Sequence, residues 1–386
     1  MADFSGNLAG PFCGQILADM GARVVKVERP GVGDPARAWA PPDWGGDGTL
    51  FLASNRGKRS LSLDLARLEG QEVAQRLVDR SDVVIQAFRP DVAERFGLTE
   101  RALRPGRPRL IVCTITAYGS SGPKSARPGY DPLLQAELGL MSLTGPVGGP
   151  PVRVGTSVVD LGAGMWAALG ILAAVRARDA TGEGTNLEVS LQDTALNWVG
   201  YHLQGVLASG EIPGPMGTSL PMICPYGAFP TQDGSLMVAA GNDGLFRKLC
   251  DALDAGELTE DPRFTTNPLR VTHRGELEAL LARTTAVLST QELARRLEAQ
   301  GVPFAPVRDL GEVSRDPGVL GGAFRLEPHP RVPGYRAVAI PPVLGGSRPA
   351  ASRPPPQVGE HSEEILGELG YSPQEVEVLR SSGITG

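Results

Sequence analysis

The stretch GTSVVDLGAGMWAALGILAAV, residues 155–175, sets one acidic residue, Asp160, ahead of a long run of apolar and small residues. Such a run predicts a buried helix, in which Gly and Ala let neighbouring elements approach closely. Asp is a preferred N-cap residue, because its side chain can bind the unpaired N–H groups of a first helical turn. On spacing alone Asp160 is therefore interpreted as an N-cap, and the rest of the chain decides whether it has a chemical role.

Short runs of β-branched residues alternate with helical patterns before this stretch. The predicted strands are residues 23–28, 82–88 and 109–115, and the predicted helices are residues 11–20, 68–79 and 92–96. This alternation predicts an α/β fold with a Rossmann-like, doubly wound parallel sheet. Because such sheets bind ligands at the carboxyl ends of their strands, the residues that follow the strands are candidates for binding.

The second half of the chain changes in character at a Gly/Pro-rich linker, residues 210–217. Before the linker we predict a helix over 131–143, a strand over 185–191 and a helix over 192–207. After the linker we predict a hairpin of 226–229 with 235–240 and helices over 245–253, 276–288 and 291–299. A proline-rich tract over 341–356 then leads to a last predicted helix near 359–366. The predicted domains are therefore residues 1–200, the first part of a large domain, and residues 212–320, a smaller α+β domain.

Composition excludes several classes of protein. The 386 residues carry a formal net charge of −6, so the chain has no basic field to attract nucleic acid or an anionic membrane. Its four Cys and four His residues show no metal-ligand spacing, and neither a metal site nor a disulfide framework is predicted. The amino terminus has no signal-peptide pattern, and the apolar run 161–175 is too short to span a bilayer. We expect a cytoplasmic protein.

The basic residues of the first hundred positions favour an anionic ligand at two places. Arg29 and Arg89 each directly follow a predicted strand, where a guanidinium can hold a phosphate by two hydrogen bonds. The other basic side chains are interpreted as a solvated rim, namely Arg23, Lys26, Arg37, Arg56, Lys58, Arg59 and Arg95. Glu28 ends a strand as a ribose-binding acid would, but the glycine pattern of a dinucleotide site is absent, so the sequence does not favour NAD binding.

Hydrolase and metal signatures are missing, which narrows the candidates for chemistry. The segment 119–122 lacks the G-x-S-x-G pattern and the His residues are scattered. Apart from Tyr130, the acid–base candidates that remain are carboxylates. Any chemistry should therefore depend on a carboxylate.

A series of motifs, in order along nearly the whole chain, resembles the class III coenzyme A transferases. That group includes formyl-CoA and carnitine CoA-transferases, and the 2-methylacyl-CoA racemases are its relatives. The motifs are residues 8–30, 55–64, 87–90, 95–97, 128–131, 160–164, 182–184 and 359–362.

The resemblance implies an activity and a site. Asp160 matches the family's catalytic aspartate, and the family's substrates are an acyl-CoA and a small carboxylate, with no prosthetic group and no metal. The positions that match CoA-binding residues are Arg29, Leu63, Ala87, Phe88, Arg89, Arg95 and Tyr130. It also implies an interlocked homodimer with the active site between large and small domains, and a segment 330–386 that returns to the large domain.

Two alternatives stay open. The racemases carry a His where this chain has Tyr130, and a tyrosine with a pKa near 10 is a poor base at neutral pH, so the residues favour transfer over racemisation. A non-catalytic CoA-binding protein is the other alternative. For a transferase, Asp160 must attack as a carboxylate, and we expect the helix N-terminus to keep it ionised.

Overall fold

The computed structural model describes residues 1–326, 329–350 and 353–386, so Ala351 and Ser352 of the proline-rich tract lie outside the described residues. The chain divides into two compact units. The first contains Met1–Leu138, Gly155–Gly200 and Pro317–Gly386, and the second contains Gly139–Val154 and Tyr201–Asp316. The domain boundaries predicted from the sequence stay a proposal.

A six-stranded sheet forms the centre of the first unit. Its strand order is β5-β2-β1-β6-β7-β8, and every neighbouring pair is parallel. The predicted α/β class with a parallel sheet is confirmed. The strands of this unit are β1 (Ala2–Asp3), β2 (Val24–Glu28), β3 (Asp43–Trp44), β4 (Asp47–Gly48), β5 (Lys58–Ser62), β6 (Val83–Gln86), β7 (Ile111–Thr116), β8 (Asn186–Ser190), β12 (Phe324–Leu326) and β13 (Arg336–Val338).

Helices pack on this sheet and connect its strands. The helices assigned to the first unit are α1 (Ala9–Asp19), α2 (Thr49–Ser54), α3 (Leu68–Asp79), α4 (Pro90–Arg95), α5 (Glu100–Leu103), α6 (Asp131–Glu137), α7 (Val158–Thr181), α8 (Leu191–Trp198), α16 (Pro317–Ala323), α17 (Ser362–Glu368) and α18 (Pro373–Ser381). α7 contacts α1, α6 and α8 and lies against β7 and β8. It is the central helix of the unit.

The carboxyl-terminal segment is bound to strand β5. The Gly359 N–H donates to Ser60 Oγ at 2.9 Å, and the Thr385 hydroxyl donates to the Ser62 carbonyl at 2.7 Å. Ile365 of α17 is buried in the same apolar core as Leu61 of β5. The end of the chain therefore completes the core of the unit that the beginning of the chain starts.

The second unit is built around a three-stranded antiparallel sheet. Its order is β11-β10-β9, and β9 and β10 form the hairpin that the sequence predicts. The elements of this unit are α9 (Gly200–Ser209, whose first residue belongs to the first unit), β9 (Tyr226–Thr231), β10 (Gly234–Ala239), α10 (Asp243–Ala252), α11 (Glu257–Glu260), α12 (Asn267–Thr272), α13 (Arg274–Thr285), α14 (Thr290–Gln300), β11 (Phe304–Pro306) and α15 (Leu310–Arg315).

Two long predicted helices are wrong in extent. The helix predicted over 131–143 ends at Glu137, because Gly139 adopts a left-handed backbone with a φ of 85°, and only a short 3-10 turn follows at Met141–Leu143. The helix predicted over 192–207 is two helices, with α8 ending at Trp198 and α9 beginning at Gly200. In both places the apolar pattern of the sequence continues past the residue at which the helix ends.

The length argument against a membrane span is also corrected. α7 has 24 residues and is, among the described residues, the one helix long and apolar enough to cross a membrane by length and composition. Core helices meet the same criteria. Here α7 packs against three helices and two strands of its own unit.

Candidate functional site

A cleft of about 470 Å³ lies at the carboxyl ends of β1, β2, β5 and β6. Five of the seven positions that the resemblance associates with CoA line it together, although they come from three separate parts of the chain. These are Arg29, Leu63, Ala87, Phe88 and Arg95. A parallel sheet brings them to one edge because four of them come within two residues after a strand, and Arg95 ends α4, the short helix that follows β6. A second cleft, of about 530 Å³, lies by Met1 and Arg23 at the opposite, amino ends of the strands.

The cleft is lined by two arginine side chains and a pair of aromatic rings. The Arg29 and Arg95 side chains are exposed. Phe88 and Phe96 meet edge to face with their ring centroids 5.4 Å apart, and the Arg95 guanidinium lies 5.0 Å from the centre of the Phe96 ring. Guanidinium groups can bind phosphates and aromatic edges can hold a planar base, so this composition suits a nucleotide.

Buried ion pairs form the floor of the cleft. Lys26 Nζ lies 2.7 Å from Asp34 Oδ2, and Arg37 Nε lies 2.8 Å from Glu28 Oε2. Burial opposes ionisation of Glu28, but hydrogen bonds from Arg37 and the charge of Lys26 outweigh it and lower the pKa of Glu28. Glu28 is therefore an internal partner of Arg37, and its carboxylate is already occupied where a dinucleotide site would use it for ribose.

The interpretation of the basic residues as a solvated rim is wrong for four of them. Lys26, Arg37, Arg56 and Lys58 are all buried. Lys58 Nζ, for example, lies 2.9 Å from Asp3 Oδ2, and both side chains are fully buried. Burial exceeds the opposing effect of Asp3 and lowers the pKa of Lys58 to about 8. All four form buried ion pairs within the first unit and therefore have a structural role.

Three predicted site residues do not line this cleft, namely Arg89, Tyr130 and Asp160. Arg89 forms an exposed ion pair with Asp91, with Nη2 and Oδ2 3.0 Å apart. Tyr130 is 54% exposed and immediately precedes α6. The assignment of Arg89 and Tyr130 to CoA binding stays a prediction.

Asp160 is the third residue of α7. The helix begins at Val158 with Ser157 at the N-cap, so the N-cap interpretation of Asp160 is wrong. Within the described residues, the Ser157 side chain caps none of the helix N–H groups. The Asp131 carboxylate does so instead, accepting from the Val159 N–H at 2.8 Å and from the Asp160 N–H at 3.4 Å.

The environment of Asp160 favours its neutral form. Burial, and after it the negative charge of Asp131, raise the pKa of Asp160 from 3.8 to about 7. The expectation that the helix N-terminus keeps Asp160 ionised is therefore wrong, because burial first and the charge of Asp131 second raise its pKa into the neutral range. Asp131 lies in the motif 128–131, but the residue pattern alone assigns it no role.

The glycines that follow Asp160 explain the motif Asp160–Gly164. A Cβ at Gly162 would lie 2.6 Å from Trp198 of α8, and a Cβ at Gly164 would lie 2.6 Å from the Ala9 carbonyl oxygen of α1. Only glycine lets the three helices approach this closely. Because α1 begins just after cleft residues 5–7, this packing places the first turns of α7 at the same edge of the sheet as the cleft.

The fold and this edge define an α/β protein with a ligand cleft at the carboxyl ends of a parallel sheet. A family model described as CoA-transferase family III matches residues 1–362. The chain belongs to CoA-transferase family III.

Individual relatives are similar in sequence to this protein over nearly the whole chain. The chain is 38% identical over 373 residues to a succinate–glutarate CoA-transferase of Agrobacterium fabrum, covering 94% of this chain and 92% of that protein. It is 35% identical to the human succinyl-CoA:glutarate CoA-transferase, covering 99% of this chain and 88% of that one. A crystal structure of a CaiB/BaiF family protein from Brucella suis superposes with a TM-score of 0.85 at 35% identity, covering 95% and 97% of the two chains.

Proposed function

We propose that this protein transfers coenzyme A from an acyl-CoA to a free carboxylic acid, through a covalent intermediate on Asp160. The observation that carries the proposal is the placement of a partly buried, ionisable carboxylate at the same sheet edge as a cleft bearing exposed Arg29 and Arg95. The names of the relatives support the reaction class.

The first half of the reaction converts a thioester into an aspartyl thioester. An Asp160 oxygen attacks the carbonyl of the donor acyl-CoA, the C–S bond breaks, and CoA leaves as a thiolate with a mixed anhydride left on the enzyme. The thiolate then attacks the Asp160 carbonyl of that anhydride, which releases the donor acid as a carboxylate. The product is Asp160 joined to CoA.

The second half runs the same steps with a new acid. The acceptor carboxylate attacks the Asp160 carbonyl and displaces CoA thiolate, and the thiolate attacks the acceptor carbonyl of the new anhydride. This yields the new acyl-CoA and restores the Asp160 carboxylate. Holding a weak nucleophile against its carbonyl can offset about 7–11 kcal/mol of the barrier, so binding of the CoA portion contributes most of the rate.

The cleft residues supply that binding in the proposal. Arg29 and Arg95 hold phosphate groups of CoA, and Leu63, Ala87 and Phe88 contact its adenine end. Arg89 and Tyr130 take part as the resemblance implies. The protein acts as an interlocked homodimer in the cytoplasm, and the exposed apolar side chains of α7, such as Trp166 at 43% exposure and Leu169 at 55%, form part of its subunit contact.

The names of the relatives also narrow the choice of acceptor acid. Their names specify succinate and glutarate, D-citramalate, oxalate, or mesaconate, and each of these is a dicarboxylic acid. We propose that the acceptor of this chain is a short dicarboxylate, with succinyl-CoA as the first donor to test.

Asp160→Asn tests the proposal. With succinyl-CoA and a panel of dicarboxylates, the unmodified chain should form new acyl-CoA and yield a hydroxylamine-trapped adduct on the peptide that contains Asp160. The variant should lose turnover by at least about 10³-fold and give no adduct, while it still binds CoA. Asp193→Asn, at the first turn of the neighbouring helix α8, is the matched control and should remain active.

Two results would contradict the proposal. Turnover by Asp160→Asn would exclude the aspartyl intermediate. Exchange of the α-proton of a 2-methylacyl-CoA in D2O, without transfer between acids, would indicate a racemase instead.

A further inference from the structure

The amino end of α7 is held by a residue of another helix. Asp131 is 1% exposed and begins α6, and its Oδ2 accepts the Val159 N–H at 2.8 Å. Its Oδ1 accepts from Gln135 Nε2 at 2.6 Å, and Gln135 is fully buried. One oxygen of the Asp131 carboxylate is therefore held by Gln135 of α6, and the other accepts a hydrogen bond from the first turn of α7.

This contact completes a three-sided support of the Asp160 backbone. α8 packs at Gly162 and α1 packs at Gly164, and both prevent α7 from shifting sideways. Neither contact fixes the first turn, which holds Asp160 and lies ahead of both glycines. Asp131 fixes that turn, since a charge-assisted hydrogen bond to a helix N–H group is among the stronger local contacts.

We propose that Asp131 is a positioning residue of the transferase, which holds the first turn of α7 so that Asp160 faces the thioester carbonyl. The inference rests on the proposed role of Asp160 as the nucleophile. Asp131 itself need touch neither substrate nor CoA.

The same residue has an electrostatic effect that a purely structural cap would lack. Few charged residues lie on the elements that pack against α7 within its unit, and most of them contact partners other than Asp160. These contacts are Asp19 with Arg56, Glu137 with Lys124 and Tyr118, Asp193 with Ser190, and Glu188 with Thr116. Asp131 is the group whose charge raises the pKa of Asp160. Its removal should therefore shift the pH at which Asp160 ionises.

Two substitutions separate the cap from the charge. Asp131→Asn keeps an oxygen that can accept the Val159 N–H but has no charge, so kcat at pH 8 should stay within a few-fold while the acidic limb of the pH profile moves down by roughly one unit. Asp131→Ala removes both, so kcat should fall about 10- to 100-fold, with the KM for acyl-CoA within about threefold because the cleft is unchanged. Asp193→Asn is the control for an acid lost from a neighbouring helix.

The outcomes distinguish this inference from the proposed function. If Asp160→Asn still turns over, the proposed function fails and Asp131 has nothing to position. If Asp160→Asn is inactive but Asp131→Ala keeps the unmodified kcat, or Asp131→Asn leaves the acidic limb in place, the role of Asp131 is overturned while the nucleophile stands. Should Asp131→Ala not fold, the pH profile of Asp131→Asn decides alone.

Discussion

Asp160 combines two properties that oppose each other at a single residue. A nucleophilic carboxylate must be ionised, yet burial and Asp131 raise the pKa of Asp160 to about 7. A less solvated carboxylate is a stronger nucleophile once it is ionised, and burial near Asp131 makes that ionisation dependent on pH in the neutral range.

The raised pKa predicts a pH dependence of the activity. Because only the ionised form of Asp160 can attack, kcat/KM for succinyl-CoA should fall about tenfold per pH unit below pH 7 and level off above it. Initial rates between pH 5.5 and 8.5 check this. A profile that is flat across neutral pH would contradict the assignment of Asp160 as the group that titrates.

The same pKa predicts a pH dependence of stability. The folded chain binds the Asp160 proton more tightly than the unfolded chain, so the contribution of this group falls as the pH rises from about 4 to about 7 and is constant above that. Asp160→Asn should therefore stabilise the fold by about 4 kcal/mol more at pH 8 than at pH 4. Urea unfolding of both proteins at the two pH values measures the difference, and an equal effect at both would contradict it.

The buried pair of Lys58 and Asp3 should be sensitive to loss of one partner. Asp3→Ala leaves the Lys58 ammonium without its carboxylate in a fully buried site, and the free energy of unfolding should fall by about 3–5 kcal/mol. Glu377→Ala removes an exposed partner of Arg380 and should change it by less than about 1 kcal/mol. Urea titrations of the two variants compare them directly.

At the scale of the elements, the close contacts of α7 determine where its first turn lies. Gly164→Ala would place a Cβ 2.6 Å from the Ala9 carbonyl oxygen, which is backbone and can move only with α1. We expect a loss of about 1–3 kcal/mol in stability and a lower kcat.

Gly275→Ala is the control for that substitution. Among the described residues nothing lies within 4 Å of a Cβ at Gly275 in α13, so helix propensity alone should act and stability should be unchanged or slightly higher. Thermal unfolding and steady-state rates report both effects. Equal stability of the two variants would show that α1 and α7 do not need a glycine at their contact.

The elements that the sequence predicted well are those with a strong apolar pattern. The strand predicted over 109–115 is observed at Ile111–Thr116, and the helix predicted over 68–79 at Leu68–Asp79. β5, with the sequence Lys-Arg-Ser-Leu-Ser, was not predicted as a strand, because its buried lysine is compensated by Asp3 from a distant part of the chain. Sequence periodicity carries no information about such a partner.

The candidate site was predictable to a similar extent. The strand pattern itself singled out Arg29, whereas Leu63, Ala87, Phe88 and Arg95 came from the family resemblance, and the parallel sheet brings all five to one cleft. The raised pKa of Asp160 was not predictable, because it depends first on burial in the fold and then on Asp131, which lies 29 residues away in the sequence.

At the scale of the whole molecule, the exposed apolar face of α7 is the surface expected to form part of the proposed dimer contact. Met165, Trp166, Leu169 and Leu172 are each more than 40% exposed and lie along one side of the helix. We predict that the protein sediments at twice the chain mass of 40.6 kDa and that Leu169→Glu shifts it towards the monomer. A monomeric unmodified protein at micromolar concentration would contradict this.

The attachment of residues 356–386 to β5 also has a consequence for synthesis of the chain. Arg37 donates to the Pro356 carbonyl, and Ile384 and Leu366 fill the core beside Leu61. A nascent chain on the ribosome exposes that core, and the cleft supported by Arg37, until residues 356–386 have left the exit tunnel. The first unit therefore completes its core only after residues 356–386 have been released, and until then a chaperone has an apolar surface to bind.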